Sequence, residues 1–275
     1  MLRCSAKASR MKFNDIDRKT AGRNLTVLGL LAAPWVGFLA VALKPNPRRM
    51  WAQSWPTLTF VGLYQLALHK CVEIHGLEHL PAIGPVILAG NHINKTASDA
   101  MLIGSKILVE RGQLAKFVSQ SDPADRTLKR FLRLMGDTEG VILPIQKGTT
   151  TSTMIEFLRN PQAYGREQAV LGIFPAGFAD SDFNTHMNRK WHTSVAVAAC
   201  ETGTPIVPFH IEGLPYHWGP FDMLKAAVRS MGGNRAFKFK IQFGPPILPV
   251  SSHAGNADYV EITERVRQSV IQLAS

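Results

Sequence analysis

Short apolar runs alternate with stretches of helical spacing through most of the chain. CVEIHG, Cys71 to Gly76, alternates as a short strand, and LEHLPAIGP forms the loop that follows it. The run Val86 to Ala89 is apolar throughout, ends at Gly90 and Asn91, and predicts a buried strand. Ser98 and Asp99 then open a helix over Met101, Leu102 and Ile103 that runs to about Arg111 and closes at Gly112. The same reading gives strands at Lys116 to Gln120, Gly140 to Ile145, Val170 to Phe174, Thr204 to Ile211 and Phe237 to Gly244, the last alternating as a half-exposed strand. Helices are predicted over Ala124 to Met135, Thr150 to Leu158, Trp191 to Ala199 and Asp258 to Leu273. Strands alternating with helices predict an α/β domain, a mostly parallel sheet flanked by helices, over residues 70–275.

The first 69 residues follow a different pattern. Leu25 to Leu43 is nineteen residues without a charge, just long enough to cross a hydrocarbon core, but Pro34 and Gly37 interrupt it. Lys19 and Arg23 precede it and Lys44, Arg48 and Arg49 follow, so the flanking charge sets no orientation. Trp51 to Leu68 is a second apolar, aromatic-rich stretch. Together they predict an N-terminal hydrophobic helical hairpin that dips into one leaflet, with membrane lipids as partners and the cytoplasmic face as its side. A buried soluble helix is the alternative. A cleaved leader fits less well, because the run starts late and lacks a small-residue exit.

Charge sharpens this picture. The net charge of +11 suits an anionic membrane surface, an acidic acyl carrier or a nucleic acid. No zinc-finger spacing, RNA-binding signature or long Lys/Arg run is present, so nucleic acid is not expected. Arg126, Lys129, Arg130 and Arg133 form a basic stripe opposite the apolar face of their helix; it reads as solvated surface or, given the apolar N-terminus, as a membrane-facing stripe at about 1 kcal/mol per residue near an anionic bilayer. Cys4, Cys71 and Cys200 are odd in number and far apart, which suits reduced thiols. No HExxH or CxxC occurs, and no metal site is expected.

The candidate chemistry lies in GNHINKTASD, Gly90 to Asp99, where a strand emerges into a loop and a helix begins. A carboxylate accepting the Nδ1 proton of an imidazole fixes the tautomer that leaves Nε2 free as a base, with a pKa of about 6.5 unperturbed. His92 and Asp99 supply such a pair. On their own they are more readily read as a loop histidine satisfied by hydrogen bonds and a helix cap.

A second block, AVLGIFPAGFADSDFNTHMNRKWHTSVAVAACETGTPIVPFHIEG from Ala169 to Gly213, changes the balance. Taken with GNHINKTASD it resembles the glycerolipid acyltransferase family, in which a histidine and aspartate motif, a Phe-Pro-x-Gly turn and a strand ending in Ile-Val-Pro follow in that order. The counterparts are His92 with Asp99, Phe174 to Gly177, and Ile206 to Pro208. The family spaces its histidine and aspartate by four residues and this chain by six, so the loop is two residues longer. Ala176 stands where the family usually has glutamate, as in its hemolysin-like and ornithine-lipid-type branch. No arginine lies in Gly140 to Ile145, where the family's second motif holds an acceptor phosphate, and Lys147 is the nearest basic residue.

The resemblance implies a membrane-associated acyltransferase that moves a fatty acyl group from acyl-CoA or acyl-acyl carrier protein to a lipid or lysophospholipid acceptor. His92 is then the general base, Asp99 its orienter, and Asn91, Lys147, Phe174, Pro175, Ala176 and Gly177 the substrate-binding set. No cofactor is implied beyond the acyl donor as co-substrate, and no GxSxG nucleophile turn is present. Backbone N–H groups near Gly140 or Gly177 are the expected oxyanion donors. The alternatives are a non-catalytic lipid-binding protein on the same fold and a thioester or lysolipid hydrolase.

Overall fold

The computed structural model describes residues 71–120, 142–146, 148–219, 238–249 and 255–275, with 222, 223, 225, 226 and 229. The expected hairpin of Leu25 to Leu68, the basic helix of Ala124 to Met135, the start of the Gly140 strand and Lys147 lie outside the described residues. In chain order the strands are β1 (Val72–His75), β2 (Val86–Gly90), β3 (Lys116–Gln120), β4 (Ile142–Ile145), β5 (Val170–Ile173), β6 (Ile206–Glu212) and β7 (Phe239–Phe243). The helices are α1 (Ser98–Arg111), α2 (Thr150–Arg159), α3 (Phe183–Asn188), α4 (Ser194–Thr202) and α5 (Asn256–Leu273), with 3₁₀ turns at Leu77–His79 and Pro161–Tyr164. Among the described residues no helix is long and apolar enough to cross a membrane.

The seven strands form one sheet in the order β1-β7-β6-β2-β5-β3-β4. β6, β2, β5, β3 and β4 run parallel, whereas β7 is antiparallel to β6 and parallel to β1. The sheet is thus mostly parallel, as the alternation predicts.

β2 is buried at every position because both faces of the sheet are covered. Val86 and Leu88 point into a layer that holds Leu102, Ile103 and Ile107 of α1. Ile87 and Ala89 point the other way, into a layer with Met154 and Phe157 of α2, Val195 and Ala199 of α4, and Val266 and Val270 of α5. The strand's even spacing sorts its side chains between the two layers. Gly90 ends β2 under a tight neighbour. A Cβ there would lie 2.2 Å from the carbonyl oxygen of Phe209, so only glycine lets β2 and β6 approach at the mouth of the site.

The connections place that mouth. From β2 the chain crosses α1 to β3 on one side, and from β5 it crosses α3 and α4 to β6 on the other. The carboxyl ends of β2, β5 and β6 therefore flank a topological switch point, where open α/β sheets take their ligands.

Two expectations shift. The helix expected from Trp191 begins at Ser194, because the His192 N–H is drawn to Pro175 O at 3.0 Å and Trp191 is buried in the core ahead of the helix. α3 has no counterpart in the periodic pattern. Its six residues are too few to show a stripe, and its start is marked only by Asp182, whose carboxylate accepts from the Thr185 N–H at 2.6 Å.

Candidate active site

His92 and Asp99 meet across the long loop. The Nδ1 of His92 lies 2.7 Å from Oδ2 of Asp99, with the imidazole 15% exposed and the carboxylate fully buried. That Oδ2 also accepts from the N–H groups of Ile93 at 3.0 Å and Asn94 at 3.2 Å, while Oδ1 accepts from Ala100 N–H at 2.9 Å. A carboxylate that only accepts, held by three backbone donors, assigns the Nδ1 proton to His92 and leaves Nε2 as the free nitrogen. Asp99 is not the cap of α1. That position is Ala97, in the left-handed region at φ 57.

The loop's extra length is absorbed in a knot of hydrogen bonds. Asn94 Oδ1 accepts from Thr96 N–H and Ser98 N–H, both at 3.0 Å, which closes the bulge on itself. Its Nδ2 donates to Pro215 O and Trp218 O, both at 2.8 Å. Ser98 Oγ donates to Trp218 O at 3.0 Å, and Thr96 Oγ1 lies 2.7 Å from that oxygen as it does from Asn94 Oδ1, its single proton serving one or the other. The loop after β6 therefore anchors the loop after β2, and a left-handed residue at Ala97 is tolerated because its neighbours are fixed on both sides.

Phe174 gives the imidazole a floor. Its ring stacks on His92 with centroids 4.1 Å apart and planes 11° apart, and Phe117 stacks behind it at 5.7 Å. The rest of the expected substrate-binding set divides. Pro175 and Ala176 are buried, and Ala176 packs among core residues rather than facing the loop. Gly177 is exposed with φ 78, but its N–H donates to Phe174 O at 2.9 Å and closes the turn, so that group is not an oxyanion donor as expected. Asn91 is fully buried, and its amide donates to Ile211 O at 2.8 Å and accepts from Ile211 N–H at 2.9 Å. Its side chain prolongs the β2–β6 ladder by one step. Lys147 lies outside the described residues.

The sequence reading passed over the segment after the turn. Phe178 is 67% exposed beside Gly177. The Asp180 N–H donates to His92 O at 2.8 Å, and His92 N–H donates to Nε2 of His186 at 3.3 Å. Asp180 is held well below the usual carboxylate range by the Asp182 N–H and by Arg189, whose Nη2 is 2.8 Å from Oδ2. His186 is fully buried, its Nδ1 has no partner among the described residues, and burial together with the nearby His92 pushes its pKa down to about 4. The signal that could have found it is weak, a histidine three residues into a capped turn. Among the described residues no group of three His, Cys, Asp or Glu side chains is placed to hold a metal.

A depressed histidine pKa has a thermodynamic consequence. Unfolded, His186 titrates near 6.5, so below that pH the unfolded chain binds a proton that the folded chain refuses until about 4. Stability therefore falls as pH drops through that window, by a contribution on the order of 3 kcal/mol, and His210, also lowered by burial, adds to it with the same sign. Denaturant midpoints measured from pH 7 to pH 4.5 are expected to decline, and less steeply in His186→Gln. An identical decline in both proteins would remove His186 from the account.

A family model described as Acyltransferase matches residues 71–212. Among solved structures, the chain is similar to the crystal structure of the 1-acyl-sn-glycerophosphate (LPA) acyltransferase, PlsC, from Thermotoga maritima, at 14% identity and a TM-score of 0.48, over 94% of this chain and 98% of that one. No curated protein matches the chain.

Proposed function

The chain belongs to the Acyltransferase family and is an acyltransferase, and from that premise we propose that it moves a fatty acyl group from a thioester to a lipid acceptor, with His92 as general base and Asp99 as its orienter. The observation that carries the reading is the 2.7 Å contact between His92 Nδ1 and a buried, backbone-held carboxylate at the carboxyl end of the central strand. Nε2 takes the proton from the acceptor hydroxyl or amine as its oxygen or nitrogen attacks the thioester carbonyl. The tetrahedral intermediate collapses, the carbon–sulfur bond breaks, and the proton on Nε2 passes to the departing thiolate. A thioester is already activated, so no acyl-enzyme is needed. The donor is acyl-CoA or acyl-acyl carrier protein.

The acceptor we propose is a lysolipid or an amine-headed lipid rather than a small glycerol phosphate. Ala176 offers no charge and is turned into the core, and the exposed residues at the turn are Gly177 and the apolar Phe178. The phosphate-holding cation is missing as well, since no arginine lies in Gly140 to Ile145, and losing one charged hydrogen bond to a phosphate removes about 1.5–3 kcal/mol of recognition. A lipid acceptor calls for action at a membrane surface, a reading that the uncharged Leu25 to Leu43, the aromatic stretch from Trp51 and the net charge of +11 support.

One experiment addresses the acceptor and the location together. Full-length protein, labelled acyl-CoA or acyl-acyl carrier protein, and anionic vesicles containing lysophospholipid or an amine-headed lipid are expected to give acylated lipid, with the protein sedimenting alongside the vesicles. Efficient acylation of glycerol 3-phosphate would overturn the acceptor. Free fatty acid as the sole product would identify a hydrolase, and protein left in the supernatant at low salt would count against the membrane surface.

A further inference from the structure

His92 stands past the end of the ladder that carries it. β2 and β5 pair as far as Ala89 and Ile173. Beyond that register β5 bends into the turn closed by Gly177 N–H on Phe174 O. On that side no strand is left to satisfy the backbone of the residue that bears the base, and a buried N–H or C=O requires a partner.

Both partners come from one short stretch. Asp180 N–H donates to His92 O at 2.8 Å, and His186 Nε2 accepts from His92 N–H at 3.3 Å. The stretch is itself anchored. Asp182 caps α3 through Thr185 N–H at 2.6 Å, Arg189 bridges to Asp180 at 2.8 Å, and Arg267 Nη1 on α5 donates to Met187 O at 2.8 Å. Asp99 and Phe174 fix how the imidazole is rotated. Asp99 also holds the next two N–H groups, of Ile93 and Asn94, but neither side chain bonds the N–H or C=O of His92 itself.

We propose that His186 is a positioning residue for acyl transfer, acting through the main chain of His92. The inference rests on the reading of His92 as the base. To accept at Nε2 the ring must be uncharged with its proton on Nδ1, and its depressed pKa of about 4 keeps it uncharged at neutral pH. A charged ring would set a donor against the His92 N–H. A displacement of about 1 Å at a reacting group is enough to lower a rate by about 10²-fold.

The test compares His186→Leu, which removes the acceptor at similar bulk, with His186→Gln, which restores an acceptor near the position of Nε2, and includes His92→Ala as reference. Turnover is measured on full-length protein with labelled palmitoyl-CoA and vesicles containing lysophospholipid. Expected are a fall in kcat of about 10- to 100-fold for His186→Leu with KM little changed, and recovery of most of that loss in His186→Gln. A second measurement needs no substrate and no intact activity: hydrogen exchange at the His92 amide is expected to be faster in His186→Leu and restored in His186→Gln. Wild-type kcat in His186→Leu beside an inactive His92→Ala would overturn the positioning role alone. Equal losses in Leu and Gln variants, following equal falls in melting temperature, would reduce His186 to a packing residue and overturn it too. An active His92→Ala would instead overturn the base, and unchanged amide exchange would then show separately that His186 holds nothing.

Discussion

His92→Ala is expected to lose acyl transfer by at least 10²-fold and up to about 10⁴-fold, the range over which a positioned general base accelerates proton removal. The loss falls on kcat, because the imidazole acts on the acceptor proton in the transition state rather than on bound substrate. Folding is expected to survive. Asp99 keeps its three backbone donors from Ile93, Asn94 and Ala100, so the variant forfeits one hydrogen bond, the burial of the ring and its stack on Phe174. That stack contributes about 0.5–1.5 kcal/mol beyond burial. The check is a time course with saturating donor on a protein whose melting curve has been recorded beside it. A variant that retains a tenth or more of wild-type turnover would mean that another group takes the proton.

The layered sheet was legible because its strands carry their environment in their composition. Val86 to Ala89 is apolar without alternation, which fits a strand covered on both faces, and Phe237 to Gly244 alternates, as Phe239, Ile241 and Phe243 do against half-buried Lys240 and Gln242. Alternation does not encode direction, however, and nothing in FKIQF distinguishes the antiparallel pairing of β7 with β6 from a parallel one. The pair at His92 and Asp99 was legible from residue type and a strand-to-helix junction. The means by which the longer loop closes was not. Asn94, Thr96 and Ser98 read as ordinary loop polarity, and the oxygen they converge on, Trp218 O, is a main-chain atom more than a hundred positions away that no side-chain identity announces. Asn91 misled for the same reason. Beside a candidate base an amide reads as a ligand contact, whereas here both its polar atoms complete a ladder to Ile211.

The loop's construction makes Asp99 carry two burdens that different substitutions separate. Asp99→Asn keeps the shape but not the acceptor capacity. If the amide oxygen takes the place of Oδ2, it keeps the bonds to His92, Ile93 and Asn94, while the NH₂ group faces the Ala100 N–H, donor against donor. If the NH₂ group takes that place, it donates to Nδ1, the proton moves to Nε2, and the base is gone. Either way the negative charge that stabilises an imidazolium is lost, and a fall in kcat of up to about 10⁴-fold is expected. Asp99→Ala removes the acceptor altogether and leaves three N–H groups without it in a fully buried site. Each unpaired buried donor costs about 1–3 kcal/mol, so a loss of at least about 3 kcal/mol in unfolding free energy is expected, well beyond that of a lost helix cap. Denaturant unfolding and steady-state turnover on both variants separate the two burdens: Asn slow and less stable by about 1–3 kcal/mol for the one opposed Ala100 N–H, Ala slow and destabilised by all three unpaired donors. Full turnover in a stable Asp99→Asn protein would show that His92 needs no anionic partner, and full stability in Asp99→Ala would show that water or another acceptor takes over the loop's donors.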